Sequence, residues 1–202
     1  MKIEIRYAKL EDAARLVEIY CYYVEKTAIT FEYEVPAVEE FQQRMVHVME
    51  KYPYLVAKVD DQIVGYAYAG TFNVRAAYDW CVETSIYVDH TLRKCGVGKR
   101  LYQALEKALK AQNITNLNAC ISSPIQNDEY LDTNSIDYNH HLGYQMVGEF
   151  HQCGYKFKRW YNMVWMEKFI GEHHENQLPM IQFNEIKDQG RLNGISNRET
   201  TR

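Results

Sequence analysis

None of the five cysteines stands in a C-x-x-C pair, no apolar run is long enough to span a membrane, and no surplus of positive charge runs through the 202 residues. Each absence excludes something. Cys21, Cys81, Cys95, Cys120 and Cys153 are scattered and odd in number, which suits free thiols in a reducing cytoplasm rather than a disulfide framework. A formal net charge of −4 argues against nucleic acid as the main partner, because proteins that grip a phosphate backbone carry a basic excess. The opening stretch MKIEIRYAKLEDAARL holds no apolar leader core, so a soluble, cytoplasmic protein without a membrane partner is expected. Internal repeats and interior linkers are missing too, and the length suffices for one substantial core.

A further absence concerns glycine. The stretch LRKCGVGKR, residues 92–100, sets Gly96 and Gly98 among Arg93, Lys94, Lys99 and Arg100. A P-loop needs a glycine five positions before its Gly-Lys pair and a Ser or Thr after it, but Arg93 and Arg100 stand there. A dinucleotide fingerprint needs a third glycine three residues after Gly98, where Leu101 stands. Spacing excludes both motifs.

What is present around the loop is a strand and a helix. WCVETSIYV, residues 80–88, is rich in β-branched and aromatic residues. After the loop, Leu101, Ala104, Leu105, Ala108 and Leu109 fall at helical spacing within residues 98–113. Free N–H groups at that helix start favour an anion, and the glycines permit close approach. From the loop alone, a phosphate site and a plain solvated β–α turn remain equally open.

Elsewhere KIEIRYA alternates like a strand, and Ala13, Leu16, Val17, Tyr20, Tyr23 and Val24 share one helical stripe. After Pro36, a second helical run can align Val38, Phe41, Met45 and Val48. YLVAKVDDQIVGYAYAGTF reads as two strands about an Asp-Asp-Gln turn. A strand in ITNLNACIS, a short helix over 134–142 and two strands within 144–170 complete one α/β domain over residues 1–170. Residues 171–202 read as a polar tail, docked where Leu178, Met180, Ile181 and Phe183 fall and frayed after about 190.

The pattern Arg93-x-x-Gly96-x-Gly98 between strand and helix resembles the acetyl-CoA pyrophosphate motif of the GNAT acetyltransferase superfamily. NSIDYNHHLGYQMVG, residues 134–148, resembles that superfamily's later helix-to-strand motif. TAITFE (27–32), RAAYDWCVETSIYV (75–88), HHLGYQMVGEF (140–150) and GYKFKRWYNMVWMEK (154–168) resemble the phosphinothricin N-acetyltransferase group. The resemblance implies a GNAT-like fold, a central mixed, mostly antiparallel twisted sheet flanked by helices. It also implies acetyl-CoA as co-substrate, a small-molecule amine as acceptor and a possible homodimer.

Site residues follow by the same resemblance. Glu83 stands at the group's general-base position, on an otherwise apolar strand where burial raises a carboxylate's pKa. Ile86, Tyr87 and Val88 match the main-chain segment that pairs with the pantetheine arm. Arg93, Lys94, Cys95, Gly96, Val97, Gly98 and Lys99, with Asn134 and Ser135, match the cofactor-binding positions. Lys94 replaces the loop's usual first glycine. Asn139 holds the place usually taken by tyrosine or histidine, and Tyr138 beside it is expected to point about 100° away, which leaves no leaving-group acid. Phe31, Tyr78 and Tyr155 are expected as walls of the amine site, with Arg75, Lys156 and Arg159 as its cations.

No metal is expected, since His140–His141 and His173–His174 are adjacent pairs without ligand spacing. The aromatics Tyr155, Trp160, Tyr161 and Trp165 suit core and sheet packing more than a ligand cage. The leading expectation is acetyl transfer to a small primary amine, an amino acid or an analogue of the phosphinothricin or methionine sulfoximine/sulfone type. A non-catalytic acyl-CoA-binding module and a protein or peptide N-acetyltransferase are the alternatives.

Overall fold

The computed structural model describes residues 2–92, 95–188 and 195. Seven strands form one sheet in the order β1-β2-β3-β4-β5-β7-β6. They are β1 (Ile3–Tyr7), β2 (Tyr54–Val59), β3 (Gln62–Thr71), β4 (Cys81–Val88), β5 (Asn116–Ser123), β6 (Gln145–Lys156) and β7 (Arg159–Phe169). Neighbours run antiparallel except β4 and β5, which are parallel. The helices are α1 (Ala13–Lys26), α2 (Val38–Met49), α3 (Val97–Ala111), α4 (Asn134–His141) and α5 (Phe183–Asp188). The expected mixed, mostly antiparallel α/β architecture is the one found.

Local sequence explains the connections. Asp60 and Asp61 join β2 to β3 with φ of 47° and 64°, the left-handed pair that a two-residue hairpin needs and that aspartate tolerates. Phe157 and Lys158 do the same between β6 and β7 at 52° and 61°, which bulky residues rarely adopt. Here the Phe157 ring stacks on Tyr130 with centroids 4.1 Å apart, so packing offsets the backbone cost.

Two cores cover the two sheet faces. Leu101, Leu105, Ala108 and Leu109 of α3 pack on Val82, Leu117, Val164 and Met166, as the helical spacing predicts. On the other face Leu16, Ile19, Tyr20 and Val24 of α1 and Phe41 and Met45 of α2 cover Tyr54, Val56 and Tyr66. Those two helices pack mainly on β2, β3 and the Tyr87 end of β4; the rest of this open face is not covered by them, and the Ala28, Leu131 and Tyr161 cluster lies over part of β7. After Gly171 the described residues are mostly exposed up to residue 182 and then dock. Phe183 meets Tyr7 edge-on at 5.0 Å and is buried with Ile186, while Leu178 stays exposed. No helix among the described residues is long and apolar enough to cross a membrane.

Candidate active site

β4 and β5 pair over three residues only, Cys81–Glu83 against Asn116–Asn118, and then part. Beyond the fork β5 stays with β7 and β4 stays with β3, where Ile86, Tyr87 and Val88 face Ala67, Tyr66 and Gly65. One main-chain edge of β4 therefore enters the fork without a strand partner, and an extended ligand can pair with it. The Val88 carbonyl accepts a hydrogen bond from the Tyr23 hydroxyl at 2.5 Å, so that oxygen already has a partner.

The glycine loop closes the fork's far end. Gly96 caps α3 at φ 81°, a left-handed conformation that glycine adopts without steric cost. The Val97 side chain enters the core and Lys99 stays exposed, while the first N–H groups of α3 lack intrahelical partners. Arg93 and Lys94 lie outside the described residues. The Cys95 thiol donates to the Leu92 carbonyl at 3.3 Å. Asn134 is held by Asp132, and the Ser135 carbonyl accepts from Asn139.

One expectation about this end is corrected. A β-carbon on Gly98 would stand 2.6 Å from the Tyr138 hydroxyl, so Tyr138 points at the loop rather than away from it. Asn139 is buried and folds its amide back onto the Ser135 carbonyl at 2.8 Å. α4 thus presents Tyr138 to the glycine loop, one residue earlier than the motif alignment implies. Burial pushes the Tyr138 phenol up to about 12, and its oxygen is buried with no hydrogen-bond partner among the described residues. The fork edge, the free helix N–H groups and this orphaned hydroxyl fit an extended, phosphate-bearing cofactor.

Glu83 projects to the open face with Cys81 and Ser85, since Val82 and Thr84 point into the α3 core. It is half-buried, and burial raises its pKa above the ordinary carboxylate value. No cation pairs with it among the described residues, which removes the reading of a surface residue tied to a lysine. Its charge reaches two neighbours: burial chiefly and Glu83 secondarily push the Cys120 thiol up to about 12, and the Tyr68 hydroxyl is raised by burial with a smaller push from Glu83.

The amine-site candidates divide. Phe31 lies on Gly154, where a β-carbon would come within 2.2 Å of its ring. Its loop is pinned by Ser122 to the Ile29 carbonyl at 2.8 Å and by Lys156 to the Thr30 carbonyl at 2.7 Å. Lys156 is only 2% exposed, so it acts as a tether behind the loop instead of an open cation. Tyr155 falls on the sheet's other face, paired with Trp160 across the hairpin, because side chains alternate along β6. Phe31 and Tyr155 therefore do not wall one pocket. The Arg159 guanidinium is taken by Asp128 and Glu129 at 3.0 and 2.7 Å, which withdraws it as a substrate cation. Arg75 is exposed before a single 3-10 turn, Ala76–Tyr78, and Tyr78 stands at the rim of a cleft. Among the described residues, no group of three potential ligands is placed to hold a metal.

Residues 5–165 match the family described as acetyltransferase (GNAT) domain. The chain is similar to the phosphinothricin N-acetyltransferase of Streptomyces viridochromogenes, with 34% identity over 83% of this chain and 88% of that protein. It is also similar to the L-methionine sulfoximine/L-methionine sulfone acetyltransferase of Pseudomonas aeruginosa, 30% identical over 83% of this chain and 94% of that one. Among solved structures, a GNAT superfamily phosphinothricin acetyltransferase from Sinorhizobium meliloti in complex with AcCoA superposes with a TM-score of 0.79 and 28% identity. That alignment covers 91% of this chain and 99% of that one.

Proposed function

The chain belongs to the GNAT acetyltransferase family and is an acetyl-CoA-dependent N-acetyltransferase, and on that premise we propose a small amino-acid acceptor and Glu83 as base. The acceptor is the primary amine of an amino acid or an analogue of the phosphinothricin or methionine sulfoximine/sulfone type, the compounds named for the two relatives. The observation that carries the mechanism is the half-buried Glu83 on the open face beside the fork, with no cation paired to it among the described residues.

An amine arrives as ammonium and must lose a proton before its nitrogen can attack. Glu83, with its pKa raised towards the working pH, takes that proton directly or through one water. The nitrogen then bonds to the thioester carbonyl carbon, the carbon–sulfur bond breaks with its electron pair going to sulfur, and the nitrogen gives up its second proton, which ends on the departing thiolate or in solvent. Main-chain N–H groups on the free edge of β4 stabilise the oxyanion that forms between these steps. At the other end the N–H groups of Gly96, Val97, Gly98 and Lys99 hold the pyrophosphate, helped by the charge of Arg93 and Lys94. Tyr138 offers its hydroxyl between loop and fork. The tether from Lys156 to Thr30 holds the Phe31 loop down on the sheet, which supports a compact acceptor over a long peptide.

A thiol-release assay with purified chain, acetyl-CoA and an amine panel tests this reading. Release that depends on methionine sulfone or phosphinothricin supports it. Release with peptide amines alone, or with no amine, overturns it.

A further inference from the structure

A cleft of about 810 Å³ opens on the face that carries Glu83, one step back along the strands from the base. Its floor includes Cys81, two residues before Glu83 and on the same side, and Asn118, the residue paired with Glu83 across the fork. The Asn118 amide donates to the Cys81 sulfur at 2.9 Å, which fixes that floor. The walls are largely aromatic: Phe72, Tyr78, Trp80, Phe150 and Trp165. Phe72 meets Trp165 edge-on at 5.5 Å and leans on Tyr78 at 5.9 Å, so these rings form one surface.

The far wall comes from the segment after β7, beyond the residues 5–165 that match the family domain. His173, His174 and Gln177 line it. Two hydrogen bonds hold this wall across the root of the fork, His173 with Asn116 at 2.7 Å and Trp80 to the Leu178 carbonyl at 2.7 Å. Among the described residues, no lysine or arginine lines the cleft, and its one carboxylate is Glu167. Such a lining repels an anionic group and favours a neutral ring. Its volume also suits a bulkier group than a compact acceptor carries.

We propose that this cleft is a second acceptor subsite that takes an aromatic side chain, so that aromatic amino acids are acetylated at their α-amine as well as compact ones. The proposal rests on acetyl transfer at Glu83 as described above. An α-amine beside Glu83 leaves its side chain free to run along the strands towards Cys81, whereas a compact side chain does not reach the aromatic walls.

Gly148 supplies the test, because it lines the cleft and a β-carbon there meets nothing within 4 Å. Methionine sulfone and tryptophan share the same α-amine and α-carboxylate and differ only in the side chain. Wild type is expected to acetylate both. Gly148→Leu should lower kcat/KM for tryptophan about tenfold or more, mainly through KM, and leave methionine sulfone nearly unchanged. Gln177→Trp, which narrows the cleft from the opposite wall, should reproduce the selective loss even if the strand variant folds poorly. Turnover of methionine sulfone without tryptophan, or equal losses for both, overturns the subsite and leaves the transfer reading standing. Equal losses accompanied by a fall in sedimentation mass would assign the cleft to a second copy of the chain instead. Turnover of neither acceptor by wild type would strike the amino-acid reading itself.

Discussion

Tyr138 and Gly98 are in contact across the cofactor fork: the phenol oxygen lies 2.6 Å from where a side chain at Gly98 would begin. A side chain at Gly98 would therefore have to displace the Tyr138 hydroxyl. Gly98→Ala should weaken acetyl-CoA binding by forcing Tyr138 out, and the double variant with Tyr138→Phe should recover part of the loss. Tyr138→Phe alone removes a buried hydroxyl that has no partner among the described residues, so the free protein should keep its Tm or gain slightly. Its acetyl-CoA Kd should rise roughly fivefold, the worth of about 1 kcal/mol for one hydrogen bond. Titration calorimetry on the three variants checks this, and strictly additive losses would mean that the two residues act apart.

Lys156 predicts a pH effect. Burial is the main cause that pulls its ammonium down to about 8, opposed by the charge of Glu32. An unfolded lysine titrates near 10.4, so between about pH 8 and 10.4 the unfolded chain binds this proton more tightly. The residue's contribution to stability must then rise with pH across that window. The Tm difference between wild type and Lys156→Met should move in favour of wild type from about pH 7 to pH 10. The variant should also raise KM for the amine more than for acetyl-CoA, because the Thr30 tether is lost.

Arg75 has an exposed side chain on the loop that leads into β4, and none of the described hydrogen bonds or ion pairs engages its guanidinium. If it reads the acceptor's carboxylate, Arg75→Ala should cost roughly 1.5 to 3 kcal/mol of transition-state binding for an amino acid. The matching carboxamide should lose much less. Equal losses in kcat/KM would remove Arg75 from the site.

Phe183, beyond the last strand, is part of the core. Phe183 is 4% exposed and packs on Tyr7, so Phe183→Ala should destabilise the fold by about 3 to 5 kcal/mol. A denaturant midpoint equal to wild type would contradict that placement.

Much of this was legible in the chain because periodicity reports burial directly. The stripe from Leu101 to Leu109 and the alternation around Val82 and Thr84 follow from which side chains face the core. What escaped was rotation and pairing. Assigning α4 from its motif fixed the helix but not which residue faces the fork: Asn139 turns its amide nitrogen back to the Ser135 carbonyl, and Tyr138 points inward. Tyr155 and Lys156 are neighbours in sequence, so strand alternation sends them to opposite faces, and only one can meet Phe31's loop. The Phe157–Lys158 turn carries no glycine or asparagine signal, because tertiary stacking on Tyr130 holds it. Docking at Phe183 was expected from its apolar character, whereas Ile186 was not singled out and Leu178 stays exposed, since isolated contacts make no period.

The central claim is that Glu83 removes the proton from the amine, and turnover and stability should respond to its loss in opposite directions. Its raised pKa means that the folded state holds the proton more tightly than the unfolded chain, so at neutral pH the ionised side chain costs stability. Glu83→Gln should keep or raise the Tm, leave the acetyl-CoA Kd in place and cut kcat by roughly 10² to 10⁴. It should also abolish the acid limb of the pH–rate profile, where wild-type activity falls as Glu83 becomes protonated. A variant that turns over at the wild-type rate below pH 7, with the same acid limb, would contradict the account.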